Sequence, residues 1–228
     1  MRIHGGDLPR AHLRAEAAKA LHEAGFIERA ITVAHEGMSV PGGDFQQQEC
    51  GELWAELVTA SGAKDAAAAA STVFDRWPTA ANARRWEHAT GGDWPTHREA
   101  AIERMRQKAW ELIAYLLDAG DVARAWSEAL LAAEEGRSLL AEQWDDLVAR
   151  YAKIDPVAVL PVMAQLIDDR LVEANTRVYP GAVRRMRELR KAALAAGRPE
   201  FAGEYLAELR ARYARRPALI AKMDAARV

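Results

Sequence analysis

One cysteine, Cys50, is the whole thiol inventory of this 228-residue chain. That excludes a disulfide within the chain and any zinc cluster built on several thiolates. No apolar run approaches the roughly 18–20 residues that cross a bilayer. The opening MRIHGGDLPR lacks the apolar core of a signal peptide. The expectation is a cytoplasmic protein with no membrane role. No segment sustains period-two alternation, so essentially no sheet is expected. Phosphate-cradling glycine loops, nucleophile elbows and dinucleotide fingerprints are missing as well. Gly5-Gly6 and Gly42-Gly43 lack the strand–turn–helix setting that such motifs need.

Histidine chemistry is equally sparse. Neither His-x3-His nor His-Glu-x2-His occurs, and His88 and His97, which flank Asp93, read as surface or packing residues. The paired acids Glu134-Glu135, Asp145-Asp146 and Asp168-Asp169 are adjacent, so on a helix their side chains diverge by about 100°. They read as solvated faces. Cys50 sits on an apolar helical face without any pattern that marks an activated thiol. No catalytic residue, metal ligand or cofactor site is assigned.

Helical rhythm is what the chain does have. Met105, Ala109, Leu112, Ile113 and Leu116 share one face, and Val122, Ala125, Trp126, Ala129, Leu130 and Ala133 form a second stripe after Gly120-Asp121. Gly120 suits the left-handed residue that closes one helix, and Asp121 suits the cap of the next. This predicts an antiparallel helical hairpin. The segments around Gly25, Gly62 and Gly197 echo that turn. Their spacing suggests a degenerate repeat of about 38 residues with one phase break. Half of the chain is hydrophobic, with alanine prominent. Alanine favours helix and lets neighbouring helices lie close, while tryptophan, leucine and phenylalanine supply the larger buried areas.

Several boundaries follow along the chain. Asp7 is expected to cap a first helix with Pro9 in its first turn. Pro41-Gly42-Gly43 forbids helix within residues 38–46, which reads as a loop and a possible sub-boundary in a single helical-repeat domain spanning residues 1–228. Thr79 and Thr96 each follow a Trp-Pro pair and are placed to cap. The run 96–119 is one helix or two. Asp155-Pro156 signals a start, with Pro161 requiring either a kink or a later beginning. The predicted class is all-α: stacked helical hairpins in a tetratricopeptide- or HEAT-like α-solenoid.

Charge is uneven. Residues 177–216 carry eleven Lys or Arg against four Glu, a net of +7, whereas the whole chain is formally −2. Arg184, Arg187 and Lys191 lie opposite Ala182, Met186, Leu189 and Ala193 at helical spacing, and Arg210, Arg212, Arg215 and Arg216 follow one helix later. They are candidates for an acidic protein surface or for phosphates, against the alternative of a solvated face. No interleaved aromatic-basic motif accompanies them. Most of the seven tryptophans read as core. The alternative is that they line a concave binding groove; Trp110 lies off the tidiest stripe, is the first to test for exposure, and joins the basic residues above as a candidate partner-binding residue.

The run from Leu112 to Trp126, the segment Trp144–Tyr151 with Asp155-Pro156, and the tail from Tyr179 through Met186-Arg187-Glu188-Leu189 to Arg215-Arg216-Pro217 resemble the helical region that follows the zinc finger in bacterial SWIM zinc-finger proteins. The similarity covers about residues 94–224. That finger needs Cys-x-Cys followed by Cys-x-His, which a single cysteine does not supply, so no metal or DNA role of the finger transfers. The sequence is then either the C-terminal part of such a protein or a relative without the finger. The resemblance implies a tetratricopeptide-like scaffold for macromolecular contacts. The functional expectation is a non-enzymatic scaffold that binds a protein or peptide. The alternatives are a nucleic-acid-associated module using the Arg184–Arg216 region and, third, an enzyme with a site in the concave face. Oligomeric state is left open.

Overall fold

A computed structural model describes residues 8–137 and 139–228. Among them every regular element is helical, which makes the class all-α as expected. No helix among the described residues is long and apolar enough to cross a membrane. The chain divides into two compact units, Met1–Ala119 and Gly120–Val228. The 38–46 segment falls inside the first.

The first unit runs α1 (Ala11–Glu23), α2 (Ile27–Gly37), α3 (Asp44–Ala60), α4 (Ala66–Arg76), α5 (Ala80–Thr90), a 3-10 turn (Gly91–Asp93), α6 (Trp94–Met105) and α7 (Ala109–Asp118). Helices α1 to α5 each pack on the next, and α1 meets α3, α3 meets α5 and α5 meets α7. This is the contact pattern of stacked hairpins. Alanine forms the seams: Ala11, Ala15, Ala18, Ala30 and Ala34 are all essentially solvent-free. Backbones approach closely there because so little side chain stands between them. Gly37 and Gly51 push this further. A Cβ at Gly37 would collide with Cys50 Sγ, and one at Gly51 would stand 2.7 Å from Trp77 Cζ3. Cys50 is buried with its thiol donating to the Ala11 carbonyl at 3.1 Å, and burial pushes the thiol above its ordinary range. It is a packing residue, as its sequence setting implies.

The second unit runs α8 (Val122–Glu134), α9 (Ala141–Tyr151), α10 (Val159–Leu171), α11 (Tyr179–Ala195), α12 (Pro199–Arg212) and α13 (Pro217–Ala226). Helices α8 through α12 pack in chain order, and α13 returns to α11. Leu160, Ile167, Leu171, Tyr179, Met186, Leu189, Leu209, Leu219 and Met223 form the core of its C-terminal half.

Gly25, Gly62, Gly120 and Gly197 all take positive φ, between 70° and 83°, as their turn role requires. Thr79 accepts the Asn82 amide and Asp121 accepts that of Arg124, so both caps form. Thr96 does not cap: its helix already starts at Trp94, and its hydroxyl donates to the Asp93 carbonyl at 2.8 Å. Asp7 lies outside the described residues, and α1 begins at Ala11, beyond Pro9. The 96–119 run is two helices, separated at residues 106–108. Asp155 accepts the amides of Val157 and Ala158 in a turn before α10, which starts at Val159. Pro161 then sits in the first turn, where a missing N–H leaves no hydrogen bond unmade. Asp44, given no role from sequence, opens α3 and accepts the Trp77 indole N–H at 2.8 Å.

Candidate functional site

Helix α11 organises the charged surface of the second unit. Ala182, Met186, Leu189 and Ala193 are buried, and Arg184, Arg187 and Lys191 are exposed on the opposite side, as the spacing requires. Between them lies a residue that the charge count obscured. Arg185 sits three residues after Ala182 and four before Leu189, within the buried arc of the helix. It is 6 % exposed, and its two terminal nitrogens reach Asp145 Oδ1 and Oδ2 on α9 at 2.5 and 2.7 Å. Its place on the apolar stripe is the signal that was available from sequence.

Helices α9, α10 and α11 enclose a groove of about 770 Å³. Val148, Val159, Met163 and Leu166 give it an apolar floor, and Ala149, Ala152, Ala192 and Ala195 leave the space open because none carries more than a methyl group. The charged lining is Arg184, Arg185 and Lys191 with Asp145 and Glu188, of which Arg185 is paired with Asp145. Arg184 lies 3.6 Å from Glu188 across one helical turn, and Lys191 makes no hydrogen bond or ion pair among the described residues. The dimensions are those of a site for a small ligand or a few side chains of a partner.

The later cations fare differently. Arg212 Nη1 donates to Asp168 on α10 at 3.0 Å and Nη2 to Glu208 at 2.6 Å; these contacts, Glu208 first, raise its already high pKa. Arg216 donates to the Leu171 carbonyl at 2.7 Å, closing the end of α10, and lies 4.4 Å from the centre of the Tyr213 ring. Arg210 holds Asp224 and the Val228 carbonyl oxygen. Arg187 and Arg215 are exposed and make no hydrogen bond or ion pair among the described residues. The seven cations named from sequence are therefore not one surface. Arg184 and Lys191 share the groove, Arg187 and Arg215 are spare, and Arg210, Arg212 and Arg216 tie helices together.

Beside Arg212, the Tyr205 hydroxyl lies 3.0 Å from the Ala164 carbonyl and 3.1 Å from Asp168 Oδ1. Burial, then the neighbouring Asp168 charge, pushes this phenol far above its ordinary range. It is an interhelical strut between α12 and α10.

Trp77, Trp86, Trp94, Trp126 and Trp144 are buried, Trp54 is half-buried, and Trp110 on α7 is 46 % exposed. Trp86 packs against Phe74, Trp94 and His97, with ring centres 5.2–5.4 Å apart. His97 thus serves packing. Among the described residues no three His, Cys, Asp or Glu side chains converge as a metal site. Comparison of the chain with protein-family models, with curated proteins and with solved structures gives no match in any of the three.

Proposed function

We propose that this chain is a non-enzymatic scaffold of the tetratricopeptide-like kind, and that its α9–α10–α11 groove receives a short amphipathic peptide segment bearing acidic residues. The observation that supports this reading is the groove itself: an apolar floor of useful size with Arg184 and Lys191 at its rim. An apolar peptide face would fill the floor, and neighbouring Asp or Glu side chains would meet the two cations. The stacked-hairpin contacts of the first unit agree with a repeat scaffold. So does the resemblance of residues 94–224 to the helical region of SWIM zinc-finger proteins. A cytoplasmic setting fits a chain whose one cysteine is a buried free thiol.

The peptide reading is preferred to a nucleic-acid module because Arg210, Arg212 and Arg216 already have internal acceptors, which thins the basic surface. Selection from a displayed library of short peptides tests it. The expected winners place apolar residues three and four apart with flanking acids, and lose binding when Met163→Glu fills the floor or Arg184→Glu with Lys191→Glu reverses the rim. Circular dichroism confirms that the variants fold. Failure to enrich any such class, or peptides indifferent to both variants, removes the proposal. Salt-sensitive retardation of DNA or RNA that disappears in the Arg184→Glu, Arg187→Glu, Lys191→Glu protein would favour the nucleic-acid reading instead.

A further inference from the structure

A second cavity, of about 540 Å³, lies in the same unit, between the end of α8, α9 and α10, with Arg185 on its wall. Three observations single it out. First, Asp145 occupies the two terminal nitrogens of Arg185, and its Nε–H is buried with no acceptor. Native proteins rarely leave a buried donor unpaired. Second, Arg170 also lines the cavity, is half-buried, and makes no hydrogen bond or ion pair among the described residues. Its guanidinium rests against Gly181: a Cβ there would stand 2.5 Å from Arg170 Nη1. Third, Trp144 and Leu166 supply a flat apolar wall beside these donors.

We propose that this cavity binds a small organic oxyanion, a carboxylate or phosphate on an apolar body. The oxyanion takes the unspent donors of Arg170, with the Arg185 guanidinium on the same wall, and the body lies against Trp144 and Leu166. Planar guanidinium groups suit such anions because paired N–H bonds match paired oxygens. An apolar body is required as well. Asp169 also faces the cavity, accepting from Gln165 Nε2 at 2.7 Å, and its charge weakens the hold on a bare anion. The cavity shares Leu166 and Arg185 with the peptide groove, its other lining residues are distinct, and the proposal does not require that groove to be occupied.

Titration calorimetry of the full chain at low ionic strength, with benzoate, phenyl phosphate and inorganic phosphate as probes, tests the proposal. One of the two organic probes is expected to bind with one-to-one stoichiometry, and whichever binds more tightly identifies the head group. Arg170→Met is expected to weaken it by about tenfold or more, the loss of a charge-assisted pair. Gly181→Ala, which displaces the Arg170 guanidinium while adding a residue that favours helix, is expected to weaken binding without lowering the melting temperature. The proposal falls if neither organic probe binds at concentrations up to about 10 mM. It also falls if Arg170→Met binds as the unaltered chain does, or if inorganic phosphate binds as tightly as the organic probes.

Discussion

Arg185 on α11 and Asp145 on α9 form a two-pronged ion pair in which one partner is buried and the other is half-exposed, with side-chain exposures of 7 % and 48 %. The asymmetry sets what each loss costs. Removing Asp145 strands a buried guanidinium, whereas removing Arg185 returns a carboxylate to water. Asp145→Ala is expected to destabilise the fold by about 2 kcal/mol, and Arg185→Met, which fills similar space without a charge, by about 1 kcal/mol or less. Urea denaturation of both variants checks the order. A reversed order would mean that the guanidinium's packing, and not its charge, holds the pair.

Two glycines within helices should respond oppositely to the same change. Gly51 faces Trp77 and Met38 with no room for a methyl group, while Gly203 on α12 has nothing within 4 Å of where a Cβ would stand. Gly203→Ala is expected to stabilise by about 0.5–1 kcal/mol through helix propensity. Gly51→Ala is expected to cost about 1–3 kcal/mol, because an indole ring gives way poorly. Thermal melts of the two variants measure both signs.

How much of this was legible in the sequence depends on the range of the cause. The turn glycines could be read because positive φ is a property of the residue itself. Thr79 and Asp121 could be read because a cap reaches only three residues. The stripe of α11 could be read because helical period fixes which side chains share a side. Thr96 misled because the helix starts at Trp94, two residues before it. The roles of Arg212 and Arg216 were hidden for another reason: their acceptors, Asp168 and the Leu171 carbonyl, lie more than forty residues earlier in the chain. The groove was hidden too, since it exists only where alanines on separate helices come to face one another.

Those long-range acceptors make a distinction among like-charged neighbours. Arg216→Met loses the bond to the end of α10 and the stacking on Tyr213, and is expected to cost about 1–2 kcal/mol. Arg187→Met and Arg215→Met lose nothing comparable and are expected to stay within about 0.5 kcal/mol of the unaltered chain. Chemical denaturation of the three single variants separates struts from spare charges.

Alkaline stability follows from Tyr205. Its folded-state pKa is raised, so the unfolded chain releases this proton first, at about pH 10. Below that pH its contribution is fully present. Above it the unfolded state binds fewer protons than the native one, and stability falls as pH rises. Tyr115, raised chiefly by burial, adds a slope of the same sign. Denaturation midpoints from pH 8 to 11.5 are expected to drop more steeply in the unaltered chain than in Tyr205→Phe, which cannot ionise at that position. Parallel curves would show that other groups govern the alkaline limit.

The exposure of Trp110 has a practical corollary. Five of the other six indoles are buried and the sixth is half-covered, so a collisional quencher such as acrylamide or iodide reaches one emitter far more readily than the rest. The steady-state emission of the unlabelled protein should divide into an accessible red-shifted component and a shielded blue one. Anything that covers α7 at that position would announce itself by protecting the first component while leaving the second unchanged.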